Sequence, residues 1–212
     1  MLISDSHQFV FVHIRKAAGT SLRQILEQHA LPRNNNLWYK ILSRNGFPVG
    51  YHQYAFRKHA NLSEAERSMP AQTFKQYFKF AIVRNPWDRL VSEYEYIKTQ
   101  PSHSRFKKLA SMSFAEYITY QSKRPAAHQI HALTLKNGDL GCDFIGKLET
   151  LEQSLKVIGT QTGIDFSSLP HINQTDRRDY RTYYNQALQE QVAKLWQADI
   201  EVFHYGFDPT TD

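Results

Sequence analysis

The chain has 212 residues, a net charge of +6 and a pI near 9.3, with 41% hydrophobic and 22% charged residues. These are globular values, sufficient for one α/β domain with its own core. One cysteine, Cys142, excludes an internal disulfide and a cysteine metal cluster. The basic balance implies an anionic partner: nucleotide, sulfated glycan, nucleic acid or acidic lipid. No signal peptide precedes Phe9 and no apolar run approaches the ~18 residues of a membrane span, so a cytoplasmic protein is expected.

Phe9 to Ile14 (FVFVHI) is a short apolar, β-branched and aromatic run that suits a buried strand of a parallel sheet. The character then changes at once, through Arg15, Lys16, Ala17, Ala18, Gly19, Thr20 and Ser21, to Leu22, Ile25 and Leu26 at helical spacing. A strand, a tight turn and a helix start follow. The helix N-terminus offers unpaired N–H groups and a positive dipole end to an anion, with hydroxyls from Thr20 and Ser21 and a charge from Lys16. An ordinary strand-to-helix connection capped by Thr20 fits the local pattern as well. A Walker A loop does not, because its lysine directly follows a glycine and here the lysine lies three positions before one.

The first helix is expected over Thr20 to Ala30, ended by Pro32 and the Asn34–Asn36 run. Val49 to His52 reads as a short second strand. His52, Arg57, Lys58 and His59 then crowd one segment and are candidates for contact with a substrate. Ser63 to Glu66 resembles a capping pattern that opens a short helix.

Phe80 to Val83 is a second buried-strand pattern. Asn85 and Pro86 form a helix start, an Asn cap followed by proline where the missing N–H costs nothing. Arg84 leaves the strand end and Ser92 lies eight residues on, about 10 Å up the helix. Together they can grip one anion from two sides, while Asn85, Asp88 and Ser92 share a helix face. Beyond Ile97 the chain is polar, with a small basic cluster over 104–108 (SRFKK), glycan-facing or solvated. Phe114 to Tyr120 reads as a short helix, Cys142 to Glu149 as a third core strand, and Leu151, Leu155 and Ile158 as the helix after it. A last helix over Gln186 to Phe203 is expected to pack on the sheet. Neither repeats nor linkers are found, so residues 1–212 are read as one domain. The alternation argues for a three-layer, P-loop-like α/β fold with a mostly parallel sheet of four or five strands flanked by helices, ligands lying outside the strands' carboxyl ends.

HIRKAAGTSL resembles the 5′-phosphosulfate loop of the carbohydrate sulfotransferases, the Golgi-type and bacterial family, commonly H-I-P-K-T-[AG]-G-T-S. Lys16, Gly19, Thr20 and Ser21 match, while Arg15 replaces the usual proline and Ala17 the usual threonine. RNPWDRLVS is similar to the family's 3′-phosphate motif, which places Arg84 and Ser92. Lys58-His59-Ala60 matches the family's K-H-A segment, and 143–149 (DFIGKLE) and 169–173 (LPHIN) match two further stretches. The resemblance runs from about Phe9 to Gly206 and is weakest from Gln100 to Ala127. A eukaryotic Golgi member would carry an N-terminal anchor, so a bacterial source is expected.

The resemblance implies a sulfotransferase that moves a sulfuryl group from 3′-phosphoadenosine 5′-phosphosulfate (PAPS) to a sugar hydroxyl. Lys16 and residues 15–21 would bind the donor and meet charge on its bridging oxygen. His59 would be the general base, with His52 in reserve. No metal is implied, for lack of an acidic pair beside the loop. A nucleotide or small-molecule kinase would use a similar strand-loop-helix site, and a non-enzymatic polyanion binder would account for the charge alone.

Overall fold

The computed structural model describes residues 1–17, 19–32, 36–45, 49–53, 56–169 and 178–208, apart from the side chains of 20, 40, 43 and 44. Ala18, the Thr20 hydroxyl and residues 170–173 of the LPHIN stretch therefore lie outside the described part. The chain forms two compact units: Met1–Ile82 with His131–Ile172, and Val83–Ile130 with Asn173–Asp212.

The first unit holds a four-stranded sheet in the order β1 (Leu2–Ser4), β2 (Phe9–Val12), β3 (Phe78–Val83) and β4 (Phe144–Lys147). β2 and β3 run parallel, with Phe9 opposite Phe78 and Val12 opposite Ala81. β1 adds an antiparallel edge, Leu2 opposite Phe11 and Ser4 opposite Phe9. Each residue of β2 is buried, as are Phe80 to Val83. Hydrophobic runs of this kind have no solvent face and belong under helices on both sides. Phe80 packs its ring at 5.7 Å from Phe9 and 5.3 Å from Phe11. The one lysine within this core, Lys79, is satisfied by Asp143 at 2.7 Å and the Tyr77 carbonyl at 2.7 Å, as burial of a charge demands.

Around the sheet run α1 (Gly19–Glu27), α2 (Leu37–Arg44), α3 (Leu62–Ser68), α4 (Ala71–Gln76) and α9 (Leu151–Thr162). Leu22 and Leu26 of α1 and Leu62 of α3 are fully buried. α9 approaches β4 so closely that a Cβ at Gly146 would meet Ser154 Oγ at 2.6 Å.

The second unit is helical: α5 (Pro86–Lys98), α6 (Phe106–Leu109), α7 (Phe114–Ser122), α10 (Gln186–Leu195) and α11 (Gln197–Phe203), with α8 (Gln129–Leu133) leading back toward β4. Trp87, Leu90, Tyr94 and Ile97 of α5 form its core with Tyr117, Ile118, Val192 and Trp196.

Several boundaries differ from expectation. Val49 to His52 is irregular and turned rather than a strand. α3 starts at Leu62, capped by Asn61 and Glu64 and not by Ser63, because the Glu64 carboxylate returns to the Asn61 N–H at 3.1 Å. The third strand of the expectation spans only Phe144 to Lys147. The last helix breaks at Trp196, whose φ of −112° and ψ of 25° leave the helical region. It packs on α5 and α7, where its Trp196 and Val192 complete the second core.

Candidate functional site

In the first unit, β2 ends at Val12 and the chain continues buried through His13 and Ile14 before turning at Arg15 and Lys16. Lys16 has φ +61°, a left-handed conformation that few non-glycine residues adopt. Ala17 is buried beneath the turn, and Gly19 opens α1. A Cβ on Gly19 would overlap the imidazole of His13, so only glycine lets α1 begin here. The first-turn amides of α1, which have no intrahelical partner, thus begin three residues after the lysine.

His13 is 4% exposed, stacked on Phe11 at 5.8 Å and set against His59 at 4.7 Å. Its Nδ1 is buried with no hydrogen-bond partner among the described residues. Burial, then the nearby His59 and Lys58, push its pKa down to about 2, so the ring is neutral. Its carbonyl oxygen accepts a hydrogen bond from Nδ1–H of His59 at 2.8 Å. Because a carbonyl can only accept, His59 must carry its proton on Nδ1, and Nε2 keeps the lone pair. Burial is the largest influence on His59, partly opposed by this hydrogen bond and reinforced by Arg15 and Lys58. Its pKa falls to about 4. The segment is held further by the Met1 nitrogen, which donates to the carbonyls of Arg57 and Lys58 at 3.0 and 2.6 Å. The Arg57 side chain is exposed and reaches Glu64 at 3.2 Å, and Lys58 is exposed.

Loop and His59 are therefore neighbours, but His52 is not with them. Its Nε2 lies 2.7 Å from Asp5 Oδ2, and Tyr51 and Tyr77 donate their hydroxyls to Asp5 Oδ1 at 3.0 and 2.7 Å. Asp5 follows Ser4, which pairs with Phe9 at the start of β2, and Tyr77 precedes β3. The cluster sits at the amino end of the parallel strands, whereas the loop leaves their carboxyl end, about 10 Å away by strand rise. His52, the expected reserve base, is thus held by a partly exposed carboxylate at the other end of the sheet from the loop.

In the second unit, Asn85 Oδ1 accepts the N–H groups of Trp87 and Asp88 at 3.0 and 3.4 Å, and Pro86 is the first residue of α5, as the sequence predicts. Arg84 is 11% exposed at its side chain and donates Nε and Nη2 to Asp88 Oδ2 at 2.7 and 2.6 Å. Its backbone is clamped by the Gln129 amide, which accepts from Arg84 N at 2.9 Å and donates to Arg84 O at 2.8 Å. Gln129 is itself anchored through its N–H to the fully buried Asp199 at 2.8 Å. Ser92 is 6% exposed.

Motif reading passed over His13, Gln129 and Asp199. His13 stands in the sequence as one more member of an apolar run, and only the close approach of Gly19, six residues on, betrays it. Gln129 and Asp199 are distant in sequence from Arg84 and carry no local signal.

A sequence description of the sulfotransferase family matches residues 1–206, so the chain belongs to that family. It is 23% identical to zebrafish carbohydrate sulfotransferase 10 over 97% of its length and 22% identical to human carbohydrate sulfotransferase 9 over 89%. The chain spans 66% of the first relative and 47% of the second. An uncharacterised protein of Archaeoglobus fulgidus is 30% identical over 51% of the chain. The fold is that of mouse sulfotransferase SULT7A1, solved in complex with PAP, with a TM-score of 0.58, 14% identity, and coverage of 94% of this chain and 86% of that one. Among the described residues no group of three or more His, Cys, Asp or Glu is placed to hold a metal ion.

Proposed function

We propose that the chain transfers a sulfuryl group from PAPS to a carbohydrate hydroxyl. The observation that carries this reading is the pairing of His59, tautomer fixed and Nε2 unprotonated, with the Lys16–Gly19 turn through the intervening His13. Support comes from the family, from the carbohydrate sulfotransferases among its relatives and from a structural neighbour whose ligand is PAP.

In-line sulfuryl transfer, like phosphoryl transfer, asks a protein mainly for positioning and charge stabilisation. His59 Nε2 accepts the acceptor's hydroxyl proton as its oxygen bonds to sulfur, and the imidazolium formed is held by the His13 carbonyl. Lys16, with the first amides of α1 and the Ser21 hydroxyl, meets the negative charge that gathers on the bridging oxygen as the S–O bond to the departing bisphosphate breaks. Arg15, Ala17, Ala18 and Thr20 complete the donor loop, and Arg84 and Ser92 are assigned to the 3′-phosphate. Arg57 and Lys58 flank the base on the acceptor side. Transfer is expected to survive EDTA.

Calorimetry with 3′,5′-ADP and 5′-AMP, followed by labelled-PAPS transfer to a glycan panel, tests the reading. Tighter binding of 3′,5′-ADP by at least tenfold is expected. Equal affinities, or activity that returns only with magnesium and ATP, would replace it by the kinase reading.

A further inference from the structure

Arg84 follows the last residue of β3, and the backbone N–H and C=O of a residue at such a place need partners when buried. A single side chain supplies both. The buried Gln129 amide accepts from Arg84 N at 2.9 Å and donates Nε2 to Arg84 O at 2.8 Å, pairing with that residue as one more rung of a sheet would. Losing either bond would leave a buried polar group unsatisfied on each side.

The position of Gln129 is set in turn from other elements. Gln129 opens α8, and the first two amides of that helix are taken by Asp199 of α11. Its Oδ2 accepts from Gln129 N at 2.8 Å and its Oδ1 from Ile130 N at 2.9 Å. A carboxylate that spends each oxygen on a separate N–H fixes both the place and the rotation of the helix start. Asp199 is fully buried. Two residues before Gln129, the Ala127 carbonyl accepts from the Trp196 indole N–H at 3.0 Å and from Arg89 Nη2. Arg89 of α5, Trp196 at the break between α10 and α11, and Asp199 thus fix segment 127–130, which delivers the Gln129 amide to Arg84.

Arg84 is therefore held at both ends, the backbone by Gln129 and the guanidinium by Asp88. A guanidinium reads a phosphate with a planar, rigid fork, so its aim depends on where its backbone points as well as on what holds its head. Asp88 lies one turn on in the same segment and orients the head. Gln129, 45 residues away in the chain, orients the backbone.

We infer that Gln129 and Asp199 are positioning residues for nucleotide recognition: without touching the ligand, they fix the Arg84 backbone and so set the preference for a 3′-phosphorylated nucleotide. The inference rests on the assignment of Arg84 to the 3′-phosphate proposed above. A role in the fold alone makes a different demand, since a loosened α8 would weaken every nucleotide alike and independently of the Arg84 side chain.

The test is calorimetry with 3′,5′-ADP and 5′-AMP on Gln129→Met, Arg84→Ala and the double variant. Gln129→Met keeps the length of the side chain and removes both amide bonds. It should weaken 3′,5′-ADP about threefold to tenfold and leave 5′-AMP within about twofold. Because Gln129 acts through the Arg84 side chain, the double variant should bind 3′,5′-ADP no more weakly than Arg84→Ala alone. Asp199→Asn keeps the shape and one acceptor oxygen, and should show the same selective loss in smaller measure. It carries the same comparisons, alone and with Arg84→Ala, if Gln129→Met does not fold. Parallel losses for the two nucleotides, losses that multiply in the double variant, or an unchanged 3′,5′-ADP affinity each reduce Gln129 to a support of the fold and overturn the inference. A wild type that binds 3′,5′-ADP and 5′-AMP equally would instead remove the 3′-phosphate assignment itself, before any variant is compared.

Discussion

Two segments of this chain leave a buried parallel strand and open a helix, and they hold their chemistry in opposite ways. In the 15–21 loop the backbone is the instrument: Lys16 at positive φ, a glycine pressed on His13, and the amino end of α1. In the Arg84–Ser92 segment the side chain is the instrument, and the backbone is only a clamp. Arg84 is bound to Asp88, its peptide is pinned by Gln129, and an Asn cap with proline takes up the first-turn amides of α5. A helix start whose amides are already capped cannot cradle an anion, so a charge at Arg84 must be read by guanidinium geometry instead. The contrast predicts that the loop will be intolerant of small steric changes and that the arginine segment will respond to charge.

The largest effect is expected at the base. His59→Ala should lower kcat by about 10²–10⁴ while 3′,5′-ADP affinity is nearly unchanged. The wild-type rate should be level at neutral pH and decline only as pH falls toward the His59 pKa of about 4, not around the usual imidazole value near 6.5. The same depressed pKa links to stability. The folded state disfavours protonated His59, so its contribution is intact above pH 6.5 and is lost as pH falls from there toward 4. Chemical denaturation across that window checks the sign, and a midpoint that rises on acidification would refute the buried neutral ring.

Next come the loop positions. Lys16→Ala should cost roughly 10²–10³ in kcat and also weaken 3′,5′-ADP, because it removes a charged donor used in both states. Gly19→Ala adds no chemistry but drives a methyl into the His13 ring. Overpacking of this kind costs about 1–3 kcal/mol, so a lowered melting temperature and a loss of nucleotide affinity should appear together. A Gly19→Ala protein of wild-type stability and affinity would show that the backbone approach is not what shapes the loop. Arg84→Ala should weaken 3′,5′-ADP at least tenfold with little change for 5′-AMP, since an unmade charged hydrogen bond costs about 1.5–3 kcal/mol. Equal losses for both nucleotides would withdraw the 3′-phosphate assignment.

Both strand-to-helix units were legible in the sequence because each is local: an apolar run of four to six residues, then a change to helical spacing. The parts that were not legible depend on long-range packing. β1 is three residues long, too short for any periodicity, and exists because Leu2 to Ser4 can pair with Phe9 to Phe11. Val49 to His52 has strand composition, but Tyr51 and His52 are drawn to Asp5 and the segment turns. A continuous 3.6-residue pattern across Trp196 concealed a break, where the indole N–H donates to the Ala127 carbonyl at 3.0 Å. Lys16 was visible through its motif, whereas His13, which joins the base to the loop, reads as an ordinary core residue until Gly19 is seen against it.

The smallest expected effect is the sharpest control on the comparison. His52 and His59 lie seven residues apart and are chemically alike, and sequence left either free to be the base. The geometry separates them by a strand's length, His59 at the carboxyl end beside the loop and His52 at the amino end on Asp5. Burial pushes the Asp5 carboxyl up, but hydrogen bonds from Tyr77, His52 and Tyr51 outweigh it and leave its pKa lowered. With the two tyrosines remaining, and with His52 54% exposed, the loss of one surface partner should cost less than about 1 kcal/mol. His52→Ala should therefore keep kcat and 3′,5′-ADP affinity within twofold of wild type and shift the melting temperature slightly. A His52→Ala enzyme whose kcat collapses while His59→Ala stays active would assign the base to the wrong end of this sheet, and with it would fall the role given to the His13 carbonyl.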